Sequence, residues 1–326
     1  MTQRTHHFVP KCYLKHFAFG AKDREQVFTV DFVRGRAFRP WIGNVAAKRD
    51  FNRVDLPGVD PNALEKAYGK FETPLAEALE RISASRSFKT EDDFIYVLNL
   101  MALLATRHPD FRAKMQDYYD ALYTLKAEVL TATRARFEQT LSRAVENGFV
   151  KQKSAPITYE QVRDFVRERK FRVSVDQDTL IRHEVDVMDP VLRTMAQRSW
   201  MLLIAPEEAG SFITSDNPVC LISTNSRQEG AVLLGHAMAQ TAVLFPLSRS
   251  LALYGTYDGD SGSTLIDRNS VRRLNGIIMT EAYSQVYAPD SNFEYLRDGD
   301  IRQGAYSLID LKMRERFNER RKEDVG

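Results

Sequence analysis

The chain has 326 residues, 43% of them hydrophobic and 28% charged, which places it in the soluble globular class. Its 46 Lys and Arg nearly balance 44 Asp and Glu, for a formal net charge of +2. No global field therefore draws it to nucleic acid or anionic lipid, and any such binding must come from local patches. The 2 cysteines, Cys12 and Cys220, have neither metal-ligand spacing nor a disulfide framework, which fits a reduced, cytoplasmic setting.

In chain order, the segment His6-His7-Phe8-Val9-Pro10 is extended and passes into a short helix with Tyr13, Leu14 and Phe17 at helical spacing. The interruptions at Arg4, His6, His7 and Pro10 do not fit a secretory signal. Residues 27–32 and 37–39 flank Arg34-Gly35-Arg36, the pattern of a hairpin closed by a glycine. From 61 to 85 the apolar residues Leu64, Ala67, Tyr68, Phe71, Leu75, Leu79 and Ile82 mark one face of a helix.

Thr90 followed by Glu91, Asp92 and Asp93 reads as the start of a buried helix that stops before Pro109 and is too short for a membrane span. A further helix is expected over 110–147, with Gly148 as its terminator, then others over 158–169 and 176–198. From Trp200 the pattern turns to short strands at 200–205, 211–214, 219–223, 242–246 and 250–256, a helix at 267–282 and a strand at 284–288. The glycine-bearing stretch 255–262 reads as a loop, and residues 312–322 as a solvated helix or frayed end.

Helices grouped before strands imply an α+β fold: a helical middle section packed with an antiparallel or mixed sheet built from the N-terminal hairpin and the C-terminal strands. No strong linker appears, so the expectation is a single composite domain over 1–326. Its parts are an N-terminal segment and hairpin (1–56), a helical section (60–198), a strand-rich section (199–310) and a charged tail (311–326).

Three features carry chemistry. Of 6 histidines three lie in the first 17 residues, so His6 and His7 are candidate imidazoles for proton transfer or a metal, although neighbours on a strand point to opposite faces. The turn Ser215-Asp216-Asn217-Pro218 joins two apolar runs and gives Asp216 a fixed direction, suited to a base or, with His7, to a metal ligand. Arg107 on an apolar helix is costly unless paired, so either Glu65 or Glu72 neutralises it or it receives an anion in a cleft. Basic sets at Lys48, Arg49 and Arg53, and at Arg163, Arg167, Arg169, Lys170 and Arg172, are candidate nucleic-acid contacts.

The pattern His6-His7-Phe8-Val9-Pro10 with Tyr13-Leu14 and Phe17 resembles the start of the bacterial domain-of-unknown-function family 4238. Later stretches resemble it too: Asn44 to Phe51, the pair Glu65 and Glu72, Arg107, the Ser-Asp-x-Pro turn, Phe245-Pro246-Leu247-Ser248, Arg273-Leu274-Asn275 and Val286-Tyr287. The resemblance spans nearly the whole chain and makes the His6-His7 segment and the Asp216 turn parts of one fold. It implies a prokaryotic, cytoplasmic protein and supplies no substrate.

Two functions follow from the residues. The first is a metal-dependent phosphodiester hydrolase, nuclease-like, in bacterial stress or defence, with His6, His7 and Asp216 as catalytic residues around a divalent metal held by His7 and Asp216. The second is a non-catalytic binding or regulatory module in which Arg107, Ser215 and Asn217 hold a small anionic ligand or nucleic acid.

Overall fold

The computed structural model describes residues 4–21, 24–150, 158–224 and 234–304. Its contacts divide the chain into two compact units, Met1–Pro109 with Ile181–Gly326, and Asp110–Leu180. The expected tail at 312–322 lies outside the described residues.

The first unit opens with β1 (Thr5–His7), α1 (Lys11–Leu14), β2 (Phe28–Asp31), β3 (Arg36–Phe38), β4 (Ala47–Arg49), α2 (Ala63–Ser85) and α3 (Glu91–Thr106). The second unit contains α4 (Pro109–Leu130, from Asp110 on), α5 (Arg134–Glu146) and α6 (Tyr159–Arg167). The chain returns through α7 (Gln177–Ala196) to β5 (Ser199–Ile204), β6 (Thr214–Ser215), β7 (Cys220–Ser223), β8 (Thr241–Ser248), β9 (Leu251–Thr256) and β10 (Gly262–Leu265). It continues with α8 (Arg268–Glu281), β11 (Gln285–Ala288), β12 (Glu294–Arg297) and β13 (Asp300–Gln303).

The fold is α+β, as the grouping of helices and strands implies. One five-stranded sheet runs β10-β5-β9-β8-β7, antiparallel except for the parallel β10 and β5 pair. A four-stranded antiparallel sheet, β3-β2-β11-β6, joins the N-terminal hairpin to two late strands. Sequence-distant halves of the first unit are thus hydrogen-bonded into one sheet.

Helix α3 has apolar residues around its circumference and is buried along most of its length, which is why it reads as a core helix. Its start is where the sequence places it: the Thr90 side chain accepts from Asp93 N–H, and the buried Asp93 carboxylate accepts from Arg81 at 2.7 Å. No helix among the described residues is long and apolar enough to cross a membrane.

Three expectations need correction. The helix expected over 110–147 is two, because Thr131 bonds back to Ala127 O at 2.8 Å while Thr133 caps a new start by accepting from Arg136 N–H. The loop expected at 255–262 ends in β10, whose parallel pairing with β5 no local pattern encodes. The strand expected over 211–214 is only the two-residue β6, since Phe212 and Ile213 bond instead to Arg249 O and Asn275 Oδ1.

The N-terminal segment is anchored on the strands. Strand β8 is buried throughout and contains Pro246 at a register shift against β9, where the ladder is interrupted. Tyr13 stacks on Phe245 with ring centroids 5.3 Å apart, and its hydroxyl donates to Pro246 O at 2.6 Å beside Thr214 Oγ1 at 2.7 Å. Tyr13→Phe leaves a buried carbonyl and hydroxyl short of a partner. It should lower stability by about 1–3 kcal/mol in chemical denaturation, and an unchanged midpoint would show the bonds to be idle.

Candidate functional site: the buried Arg107 guanidinium

Helix α2 presents Glu65, Tyr68 and Glu72 at spacings of three and four residues, so the three side chains share one face. Arg107, the C-cap residue of α3, lies over the Tyr68 ring with its guanidinium carbon 4.0 Å from the centroid. Its residue exposure is 1%, and none of Nε, Nη1 and Nη2 has a hydrogen-bond partner. Among the described residues no ion pair to Arg107 is formed, by Glu65, Glu72 or any other carboxylate.

The surroundings are charged but held at a distance. Burial raises the Glu72 carboxyl above its ordinary value, with Arg107 pulling it down and Glu65 pushing it up. Burial lowers His7, as does Lys11, while its bond to Gly43 and the charge of Glu65 act the other way. The His7 imidazole therefore stays neutral, and because Gly43 O can only accept, His7 Nε2 donates to it at 3.1 Å and Nδ1 carries the lone pair. Asn52 donates through Nδ2 to Glu65 Oε2 at 2.7 Å, and its own Oδ1 is buried without a partner.

A second buried arginine, Arg198, is largely satisfied in this fold, with only its Nε lacking a partner. Arg198 donates through Nη1 to Thr241 O at 2.7 Å and to Gly255 O at 3.3 Å. Its Nη2 donates to His236 O at 2.8 Å and Thr241 Oγ1 at 2.7 Å, and it lies 4.3 Å over Tyr257. Arg198 ties strands together. Arg107 ties nothing.

The Asp216 turn has the opposite character. Asp216 Oδ1 accepts from Tyr283 N–H at 2.9 Å, and Oδ2 accepts from Ser284 N–H at 2.8 Å, Ser284 O–H at 2.6 Å and Gln285 N–H at 2.9 Å. Burial pushes this carboxyl up to about 6 against those four donors, so it is ionised at neutral pH. Ser215 Oγ accepts from Asn217 N–H at 3.1 Å, and Asn217 Nδ2 donates to Glu281 O at 2.9 Å. Asp216 and Asn217 fasten β6 to the end of α8 and the start of β11, and Ser215 closes the turn itself.

His6 is buried on β1, where its Nδ1 accepts from Asn52 N–H at 2.9 Å. The structure thus brings His7, Glu65, Glu72 and Arg107 into one electrostatic neighbourhood and holds Asp216, Ser215 and Asn217 in internal bonds. No group of three His, Cys, Asp or Glu side chains able to hold a metal ion occurs among the described residues. The basic sets are largely ion-paired: Arg49 with Asp50, Arg53 with Asp55, Arg163 and Arg167 with Asp164, Lys170 with Glu168, and Arg172 with Asp117.

Residues 5–292 match the family described as a protein of unknown function (DUF4238). The chain belongs to this family. No curated protein and no solved structure matches it. The stretches that resemble the DUF4238 family hold most of the internal fasteners above: Tyr13, Asp216, Pro246 and Asn275, whose Nδ2 donates to Ser211 O at 3.0 Å and Glu294 O at 2.8 Å. Arg107 stands apart from them by having nothing to fasten. Asn52 and Tyr68 were not legible as site residues; Tyr68 had one signal, its place between Glu65 and Glu72 on a shared face.

Two other histidines shape the acid response. Burial holds His16 and His236 down to about 4, so both are neutral in the folded chain and must charge as the pH falls. A depressed histidine contributes stability that is present above 6.5 and is lost on the way down to about 4. The raised Asp216 acts in the opposite sense between about 6 and 3.8 and offsets part of the loss. The net expectation is a loss on the order of 2–3 kcal/mol from pH 7 to pH 5, read as a lower Tm at pH 5. Equal melting temperatures would contradict it.

Proposed function

We propose that the protein is a binding module for a small anionic ligand, carboxylate or phosphate, taken up against the Arg107 guanidinium. The supporting observation is the buried, hydrogen-bond-free guanidinium itself. An uncompensated charge of this kind costs several kcal/mol, and a fold that makes four bonds to Arg198 has the means to satisfy an arginine where that is all it requires. A planar fork of donors above an aromatic ring suits the flat, bidentate geometry of a carboxylate or a phosphate edge. Glu65 and Glu72 limit the charge of the ligand, since a strongly polyanionic chain would meet both carboxylates. This favours a small molecule over nucleic acid.

Metal-dependent phosphodiester hydrolysis draws less support. It asks Asp216 for a free lone pair directed at a cation, and both oxygens already accept from the 283–285 segment. The expected result on the purified protein is that some members of a panel of inorganic phosphate, sulfate and mono- and dicarboxylates raise Tm in a concentration-dependent way, by mass action on the folded state. A panel without effect up to tens of millimolar would count against the module.

A further inference from the structure

About 16 Å along α2 from Glu72, at eleven residues and 1.5 Å each, Ser83 enters the wall of a second cavity. It measures about 910 Å³ and is polar, a size that accepts a nucleotide-scale molecule. Its walls come from five stretches of the first unit: the turn after α1, the end of α2, residues 205–211, the turn between β8 and β9, and Pro289 with Asp290. The walls are fastened to one another. Arg249 N–H donates to His16 O at 3.2 Å, Phe212 N–H to Arg249 O at 2.8 Å, and Ala205 N–H to Ser250 O at 2.9 Å.

Two arginines face this space from different elements. Arg86 is the C-cap of α2 and holds left-handed backbone at φ 51, a conformation that glycine adopts freely and arginine only under strain. Arg249 sits in the β8 to β9 turn. Neither guanidinium makes a hydrogen bond or an ion pair among the described residues, whereas Lys15 on the same wall is paired with Glu25 at 3.7 Å. Glu207 is also without an ion pair, and four serine hydroxyls, at 83, 211, 248 and 250, complete the polar lining. The imidazole of His16 lies 3.0 Å from Ser83 Oγ through Nδ1.

We propose that this cavity is a second ligand site, for a phosphorylated sugar, with Arg86 and Arg249 on the phosphate and Glu207 with the serine hydroxyls on the sugar. Two unpaired, exposed guanidiniums from different elements lining one cavity supply the bidentate donors that a phosphate takes, and a carboxylate in a lining with hydroxyls accepts from sugar hydroxyls. The charge pattern separates the ligand into an anionic end and a hydroxylated end. A bare polyanion is disfavoured by Glu207 and Asp290, and an uncharged sugar leaves both arginines unused. Burial keeps His16 uncharged near neutral pH, so it adds no third cation.

The test uses the full chain and titration calorimetry with ribose 5-phosphate, glucose 6-phosphate and adenosine monophosphate, against ribose and inorganic phosphate alone. Arg86→Gly removes the guanidinium and relieves the left-handed backbone, so Tm should rise while affinity for the phosphorylated sugar falls at least tenfold. Arg249→Gln should cause a similar loss with Tm unchanged, and Arg107→Met should leave this binding intact. The proposal is overturned by any of three results: no phosphorylated sugar binds, inorganic phosphate binds as tightly as the sugar phosphates, or binding is lost in Arg107→Met while surviving in Arg86→Gly and Arg249→Gln. The last of these would assign the ligand to Arg107 instead.

Discussion

Asp216→Asn is expected to destabilise the fold by about 3 kcal/mol or more, despite being the most conservative change available. An asparagine can place its one carbonyl oxygen against Ser284 and Gln285, where three donors converge on Oδ2. Its amide nitrogen then faces the Tyr283 N–H that Oδ1 accepts from at 2.9 Å, so donor meets donor in a site that is 1% exposed. The loss comprises one charge-assisted bond, the weakening of three others and a buried unsatisfied donor. A drop in Tm of several degrees should appear in calorimetry. If the variant folds and melts like the parent while losing metal binding and hydrolysis, Asp216 is a chemical group after all.

That contrast shows how far the sequence could be read. The capping threonine at 90, the hairpin around Gly35 and the amphipathic face from Leu64 to Ile82 are local patterns, and the elements stand where those patterns place them. The rigid polar turn at 215–218 was equally plain, yet its residue types are the same for a site and for a fastener. Deciding between them requires the direction of Tyr283, Ser284 and Gln285, which are 67 to 69 positions away. Parallel β10 escaped for a related reason, since its partner β5 is set by the path of the chain, whereas the β12 and β13 hairpin was written locally in its Asp298-Gly299 turn, with positive φ at both residues, and was missed. Arg107 was visible as a charge in an apolar helix. That its partner is missing, rather than Glu65 or Glu72, appears only in three dimensions.

Arg107→Met is expected to abolish anion binding without loss of stability, the second large effect. Methionine fills a similar volume over Tyr68, and it replaces a buried charge that donates no side-chain hydrogen bond. Stability should stay level or rise, since isosteric apolar replacement of buried charge is often neutral or stabilising by about 1–4 kcal/mol. Glu72 loses the cation that pulls its carboxyl down, so its value should climb further. A structural arginine would behave otherwise. Arg198→Met, which strips four bonds from Thr241, Gly255 and His236, should be strongly destabilising in the same assay and serves as the matched control.

The most direct measurement is calorimetric titration of parent and Arg107→Met with the anion that raises Tm most in the panel. The account predicts saturable one-site binding to the parent and a loss of at least about 100-fold in the variant, the scale of a buried bidentate guanidinium contact worth roughly 3 kcal/mol. Equal affinity in the two proteins, or a variant that unfolds as Arg198→Met does, would contradict it.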